Sequence, residues 1–205
     1  MVDIQGLRWI VELLRRLDVP FQAVGGLAAN AYGARRPPAD LDFYVPTRRL
    51  EKVAESAAAC VVRAPARYQD ASWDLTFMKL EYHGSRIELG GADGARYFDR
   101  QAGHWREARI DFSLSIEQTV FGVRVPVLPL EQLIEYKRRL RREVDLQDIA
   151  ELVSANSQRW LTSRCSRRAA RVRQLICANR ERRSQPASQE PKAKAGLSGR
   201  TSGPT

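Results

Sequence analysis

Residues 21–45 carry the pattern that most restricts what this chain can fold into. Phe21-Gln22-Ala23-Val24 reads as a short strand, Gly25-Gly26 as a tight turn, and Leu27 to Tyr32 as a short alanine-rich helix closed by Gly33. Arg35-Arg36-Pro37-Pro38 is then a loop, because paired prolines forbid helix and interrupt any strand ladder. In Leu41-Asp42-Phe43-Tyr44-Val45 apolar residues alternate with Asp42 and Tyr44, the mark of a strand with one polar face.

The surrounding chain extends this unit. Leu7, Ile10, Val11, Leu14 and Leu17 recur at helical spacing, which predicts an amphipathic helix over 4–17, ended by Pro20. Pro46 and Thr47 open a helix with Leu50, Val53, Ala54 and Ala57 on one side, and a short strand is expected at Cys60-Val61-Val62. Thr76 to Tyr82 and Arg86 to Leu89, two alternating runs around His83-Gly84-Ser85, predict a hairpin. Gly90, Gly91 and Gly94 then mark a loop. A further strand pair is expected around Phe121–Val125, followed by helices at 130–141 and 145–154, the second capped at Asp145. Helices alternating with a partly hairpin-built sheet define an α/β or α+β class with a small mixed sheet.

Composition sets the outer limits. With 205 residues, 43% hydrophobic and 28% charged, the chain suits one globular domain with a tail. No apolar run reaches the roughly 18 residues of a membrane span, and no basic region precedes an apolar stretch at Met1-Val2-Asp3-Ile4, so a cytoplasmic protein is expected. Cys60, Cys165 and Cys177 are odd in number and lack metal spacing, which predicts reduced thiols and neither a disulfide framework nor a zinc site. The net charge of +10 is unevenly placed: residues 1–155 hold 22 basic and 22 acidic side chains, and residues 156–205 hold 12 and 2. The expected organisation is therefore a neutral domain over 1–155 and a basic, mostly disordered tail over 156–205. An amphipathic helix between Arg159 and Arg183 is compatible with Trp160, Leu161, Val172, Leu175 and Ile176.

Chemistry enters through Asp40-Leu41-Asp42. Aspartates at i and i+2 on a strand point to one face with Cα atoms roughly 6.5–7 Å apart, so both carboxylates can converge on one cation. Ile87-Glu88-Leu89 in the hairpin offers a third. Such an oxygen cage suits Mg²⁺, and paired ions can stabilise both the attacking and leaving oxygens of a phosphoryl displacement. Gly25 and Gly26, lacking Cβ, permit close backbone approach, and the helix that follows offers free N–H groups to phosphate. A glycine pair or an Asp-x-Asp alone is ordinary; their ordered conjunction is the signal.

Val-Gly-Gly-Leu-Ala-Ala-Asn-Ala-Tyr-Gly at 24–33, with Arg36 and Asp40-Leu-Asp-Phe-Tyr-Val, resembles the signature of the DNA polymerase beta nucleotidyltransferase superfamily. In particular it is similar to the small bacterial and archaeal members, including those near lincosamide and aminoglycoside nucleotidyltransferases and abortive-infection toxins. The likeness runs from about residue 4 to 155 and includes Gly84-Ser-Arg-Ile-Glu-Leu and Pro126 to Lys137. It implies the nucleotidyltransferase fold, and transfer of a nucleoside monophosphate from an NTP such as ATP to an acceptor hydroxyl with Mg²⁺ or Mn²⁺. The resemblance assigns Asp40, Asp42 and Glu88 to metal binding and catalysis, Glu88 also to acceptor activation, and Gly25 and Gly26 to the triphosphate. Arg36 and Lys137 match weaker nucleotide contacts. Glycine at 26, where many members have serine, leaves only backbone contacts to phosphate, and Glu88 is one methylene longer than the usual aspartate.

Asp74 and Asp93 are rival third carboxylates, and His83 and His104 receive no role. The acceptor is left open among a small molecule, an RNA end and a protein hydroxyl. Because 155 residues leave no room for a separate acceptor domain, a second subunit or partner protein could complete the site. The alternative is a nucleic-acid-binding or regulatory protein with a weakly catalytic nucleotidyltransferase fold, whose tail contacts RNA through its arginines.

Overall fold

The first element, α1 (Ile4–Arg16), starts where Asp3 accepts a hydrogen bond from the Gln5 N–H, and it buries Leu7, Ile10, Val11 and Leu14. This is a computed structural model, and it describes residues 3–157. The described residues belong to one compact unit. The expectations for Arg159–Arg183, for Cys165 and Cys177, and for the tail beyond Ser157 lie outside the described residues. Cys60 is a free thiol. Among the described residues no helix is long and apolar enough to cross a membrane.

After α1 come β1 (Gln22–Ala23), α2 (Gly25–Ala31), β2 (Leu41–Val45) and, beyond one 3-10 turn, α3 (Leu50–Ser56). Helix α2 begins at Gly25, not at Leu27. Gly25 has a φ of +61° and swings the chain directly from strand into helix, so no separate turn is needed. Gly33, at φ +99°, closes the helix by donating to the Asn30 carbonyl.

The second half is β3 (Val61–Gln69), β4 (Trp73–Tyr82), β5 (Ser85–Gly91), β6 (Arg96–Asp99), β7 (His104–Glu107), β8 (Ile116–Val120), β9 (Val123–Val127), α4 (Leu130–Leu140) and α5 (Glu143–Ala155). The β4–β5 and β8–β9 hairpins turn on two residues with positive φ, His83-Gly84 and Phe121-Gly122, the handedness that matches strand twist. The strands form one mixed sheet in the order β7-β6-β4-β5-β2-β1-β9-β8, with β3 on the other side of β4. Strand β2 runs parallel to β5 and antiparallel to β1.

Three further expectations are corrected, and β6 and β7 are added. Strand β3 has nine residues rather than three: Pro65 and the register shifts on either side of Arg63 break its alternation, which a mostly exposed edge strand tolerates. Gly90 and Gly91 belong to β5, not to a loop, and a Cβ on Gly90 would stand 2.9 Å from both Leu75 Cδ1 and Tyr44 Cε1. Strands β6 and β7, four residues each, carry too few apolar positions to show a period. Helix α5 is capped at Arg142, and Asp145 is its third residue, accepting a hydrogen bond from the Arg142 N–H.

Alternation gives the sheet two unlike faces. Leu41, Phe43, Val45, Met78, Leu80, Ile87 and Leu89 are buried core. Their neighbours Asp42, Tyr44, Lys79 and Glu88 point the other way, and they form the surface on which the site is built.

Candidate active site

Register brings the expected residues together. Asp42 pairs with Glu88 across β2 and β5, and Glu88 pairs with Lys79 across β5 and β4, so the three side chains form one row on one face. The Lys79 ammonium lies 2.8 Å from Glu88 Oε1. Asp40, just before β2, continues the pattern toward Arg86, whose Nε is 2.7 Å from Asp40 Oδ1. The Arg86 N–H is not aimed at that oxygen, which is buried and accepts no hydrogen bond.

Asp42 differs from both neighbours. Its half-buried carboxylate makes no hydrogen bond or ion pair with a described residue, and it rests on Gly25: a Cβ there would stand 2.3 Å from Asp42 Oδ2. The Val24 N–H donates to the Asp42 carbonyl at 3.0 Å, locking the glycine turn to the strand. Burial, then the charges of Glu88 and Asp40, push the Asp42 carboxyl up to about 7, against smaller pulls from Arg142 and Lys137. Three acids crowding one spot, one of them unpaired, is electrostatically costly in the free protein.

Gly25→Ala is therefore expected to destabilise by about 1–3 kcal/mol, from positive φ plus collision with Asp42. Gly122→Ala is the control, since its φ is +76° and nothing lies within 4 Å of its added methyl. The extra loss of Tm at position 25 over position 122 measures the contact with Asp42; equal losses would show that contact to be unimportant.

Arg36 and Lys137 meet in a second cluster beside the acids. Arg36 donates from Nε and Nη2 to the two Asp148 oxygens, each at 3.1 Å, and that hydrogen bonding raises its pKa further. The position a Gly26 Cβ would take is 3.4 Å from Arg36 Nη2, so the guanidinium borders the glycine turn. Lys137 is 1% exposed, and its ammonium is held by Asp148 at 2.8 Å and Asp145 at 3.3 Å. Arg142 completes the chain with two side-chain bonds to Asp145. Lys137 thus supports Arg36 from behind through Asp148.

The rival acids are engaged elsewhere. Asp74 accepts from Arg67 and Arg96, and Asp93 accepts from the Thr47 N–H at 2.9 Å. His83 sits in the hairpin turn against Tyr82, and His104 in the β6–β7 hairpin. Among the described residues no group of three or more His, Cys, Asp or Glu is arranged to hold a metal ion. In the free protein Glu88 is paired with Lys79 and Asp40 lies against Arg86.

Sequence reasoning missed Lys79, Arg86, Asp145 and Asp148. A two-residue turn at 83–84 pairs 79 with 88 by counting, so Lys79 was recoverable. Asp145 and Asp148, three apart on a helix, share a face toward Lys137, a signal at helical spacing.

A mixed sheet with the glycine turn leading into α2, and acids on β2 and β5, is the nucleotidyltransferase fold. Two solved structures share it: a candidate nucleotidyltransferase from Thermotoga maritima, and the lincosamide antibiotic adenylyltransferase LnuA with lincomycin bound. The first is 18% identical, with TM-score 0.51, over 87% of this chain and 96% of that one. The second is 15% identical, with TM-score 0.52, over 75% and 98%. At such identities the likeness defines the fold. No family model matches the chain, and no curated protein does.

Proposed function

We propose that this chain is a nucleotidyltransferase, moving a nucleoside monophosphate from an NTP to an acceptor hydroxyl. The observation that carries the reading is Asp42, unpaired, lying on Gly25 and in register with Glu88. The glycine turn lets a triphosphate approach the backbone where Arg36 borders it. Glu88 takes the proton as the acceptor oxygen bonds to the α-phosphorus and the α–β phosphoanhydride bond breaks; pyrophosphate leaves with the electron pair. Positioning and charge neutralisation supply the rate.

The donor set fits a hard divalent cation, because Asp40 has an oxygen without a hydrogen bond and Asp42, pushed up by burial and then by the charges of Glu88 and Asp40, is a carboxyl whose ionised form a cation would stabilise. Asp40, Asp42 and Glu88 would hold Mg²⁺ or Mn²⁺, which when bound neutralises charge on the phosphates. Lys79 and Arg86, both on partly exposed side chains, would release their acids to it. A cytoplasmic setting, where NTP is abundant, is part of this reading.

The test incubates the full chain with each α-labelled NTP and Mg²⁺, offering small-molecule extract, RNA and the protein itself as acceptors. Label moving to one acceptor class, with pyrophosphate released, is the expected result; no transfer from any NTP contradicts the proposal.

A further inference from the structure

A cavity of about 690 Å³ opens beside the acid row, lined by Gln22, Val24, Tyr44, Tyr97, Leu128 and Tyr136 among others. Val24 precedes Gly25, and Tyr44 follows Asp42 by two residues on the same strand face, so the cavity begins where the acids end. Gly26, Arg36 and Lys137 do not line it. A triphosphate on those groups leaves it open.

Its walls have a definite chemistry. Tyr136 lies close to Tyr44 and packs edge-on against Tyr97 at 5.4 Å. Gln22 is 1% exposed, and its Nε2 donates to Ser115 Oγ at 2.9 Å, which fixes the amide. The Gln22 Oε1 is buried with no hydrogen-bond partner, and a buried carbonyl left unpaired is costly unless a ligand donor reaches it. Two of the lining arginines are neutralised within the protein: Arg106 and Arg139 stand 2.6 and 2.9 Å from Asp99, and Arg139 also bonds Glu135. Of the other charged walls, Glu107 and Asp111 offset Arg109, so the cavity holds no strong net charge.

We infer that this cavity is the acceptor pocket and that it takes an uncharged, ring-bearing polyol of small-molecule size, one hydroxyl of which donates to Gln22 Oε1. The inference rests on the nucleotidyl-transfer reading and selects among its acceptors. The volume falls within the roughly 300–1,000 Å³ of small-molecule sites. Tyrosine faces suit a ring, and the cancelled charges disfavour an RNA end. Gln22 is a specificity residue: it reads a donor and takes no part in the bond exchange.

The test is equilibrium binding of a panel of neutral aryl glycosides, 4-hydroxyphenyl glucoside among them, to the full chain, with the glucuronide analogue as an anionic match. A panel member is expected to bind and shift the ring resonances of Tyr44, Tyr97 and Tyr136. The glucuronide should bind at least tenfold more weakly. Gln22→Leu should weaken the neutral ligand about tenfold, the size of one hydrogen bond, with Gln22→Met as the second variant should the first fold poorly. No binding by any panel member, or Gln22 variants that bind as tightly as the parent, overturns the pocket assignment. Binding that behaves as expected in a protein that transfers no nucleotide leaves the pocket standing and removes the transfer reading instead.

Discussion

Lys137→Met is expected to lower the stability of the folded unit by about 3–5 kcal/mol, a Tm loss of roughly 10 °C, because it leaves buried carboxylates without their cation. Asp145 and Asp148 are as buried as Lys137, and both accept from its ammonium. Burial alone would raise the Asp145 carboxyl; the hydrogen bond from Arg142 and the charges of Arg142 and Lys137 outweigh it and hold the carboxyl below its usual range. After the substitution Asp148 keeps Arg36 and Asp145 keeps Arg142, but each loses the partner they share. Adding Asp148→Asn removes one of the two stranded charges, so the double variant should recover part of the loss although Arg36 then lacks its bidentate partner. Urea unfolding of the single and double variants measures this, and a loss under 1 kcal/mol for Lys137→Met would show the network to be dispensable.

Asp42→Asn is expected to act in two opposite directions. Its carboxyl titrates near 7 in the folded protein against an ordinary value of 3.8, so between those limits the native state holds a proton that the unfolded chain has released. Stability contributed by this group is full below pH 4, declines as pH rises and is gone above about 7. In metal-free buffer at pH 8 the amide should therefore raise stability by about 2 kcal/mol, roughly half the full linkage because the carboxylate is partly solvated, and at pH 4 it should change little. Thermal melts in EDTA at the two pH values give the sign; an amide that destabilises at pH 8 contradicts the proposed crowding. The same substitution should lower transfer about 10³-fold, since it removes charge where the phosphates must be neutralised. Stability rising while activity falls is the behaviour of a strained functional group.

How much of this was legible depends on the scale at which each feature is written. Strand β2, helix α2 and both hairpins follow from local rules: alternation, alanine-rich spacing, and glycine at positive φ. Asp42 and Glu88 were selected correctly as strand residues, yet their partnership is a parallel pairing between strands 46 residues apart, which no local period encodes. Resemblance to a known pattern supplied it. Lys137 was placed on its helix, but its burial was hidden, because the acids that make burial tolerable lie on the next helix. Gln22 was read only as part of a strand. Its orphaned carbonyl exists because Ser115, in the turn before β8, takes the amide nitrogen, a contact across 93 positions.

The central claim is that the unpaired carboxylate on the glycine turn is where the α-phosphate reacts. The most direct measurement compares wild type and Asp42→Asn at pH 8 with α-labelled NTP, Mg²⁺ and the acceptor fraction, following label transfer and pyrophosphate release together. Near-complete loss of both in a variant that melts at the same temperature or higher is the predicted result. Transfer at an undiminished rate would contradict the account.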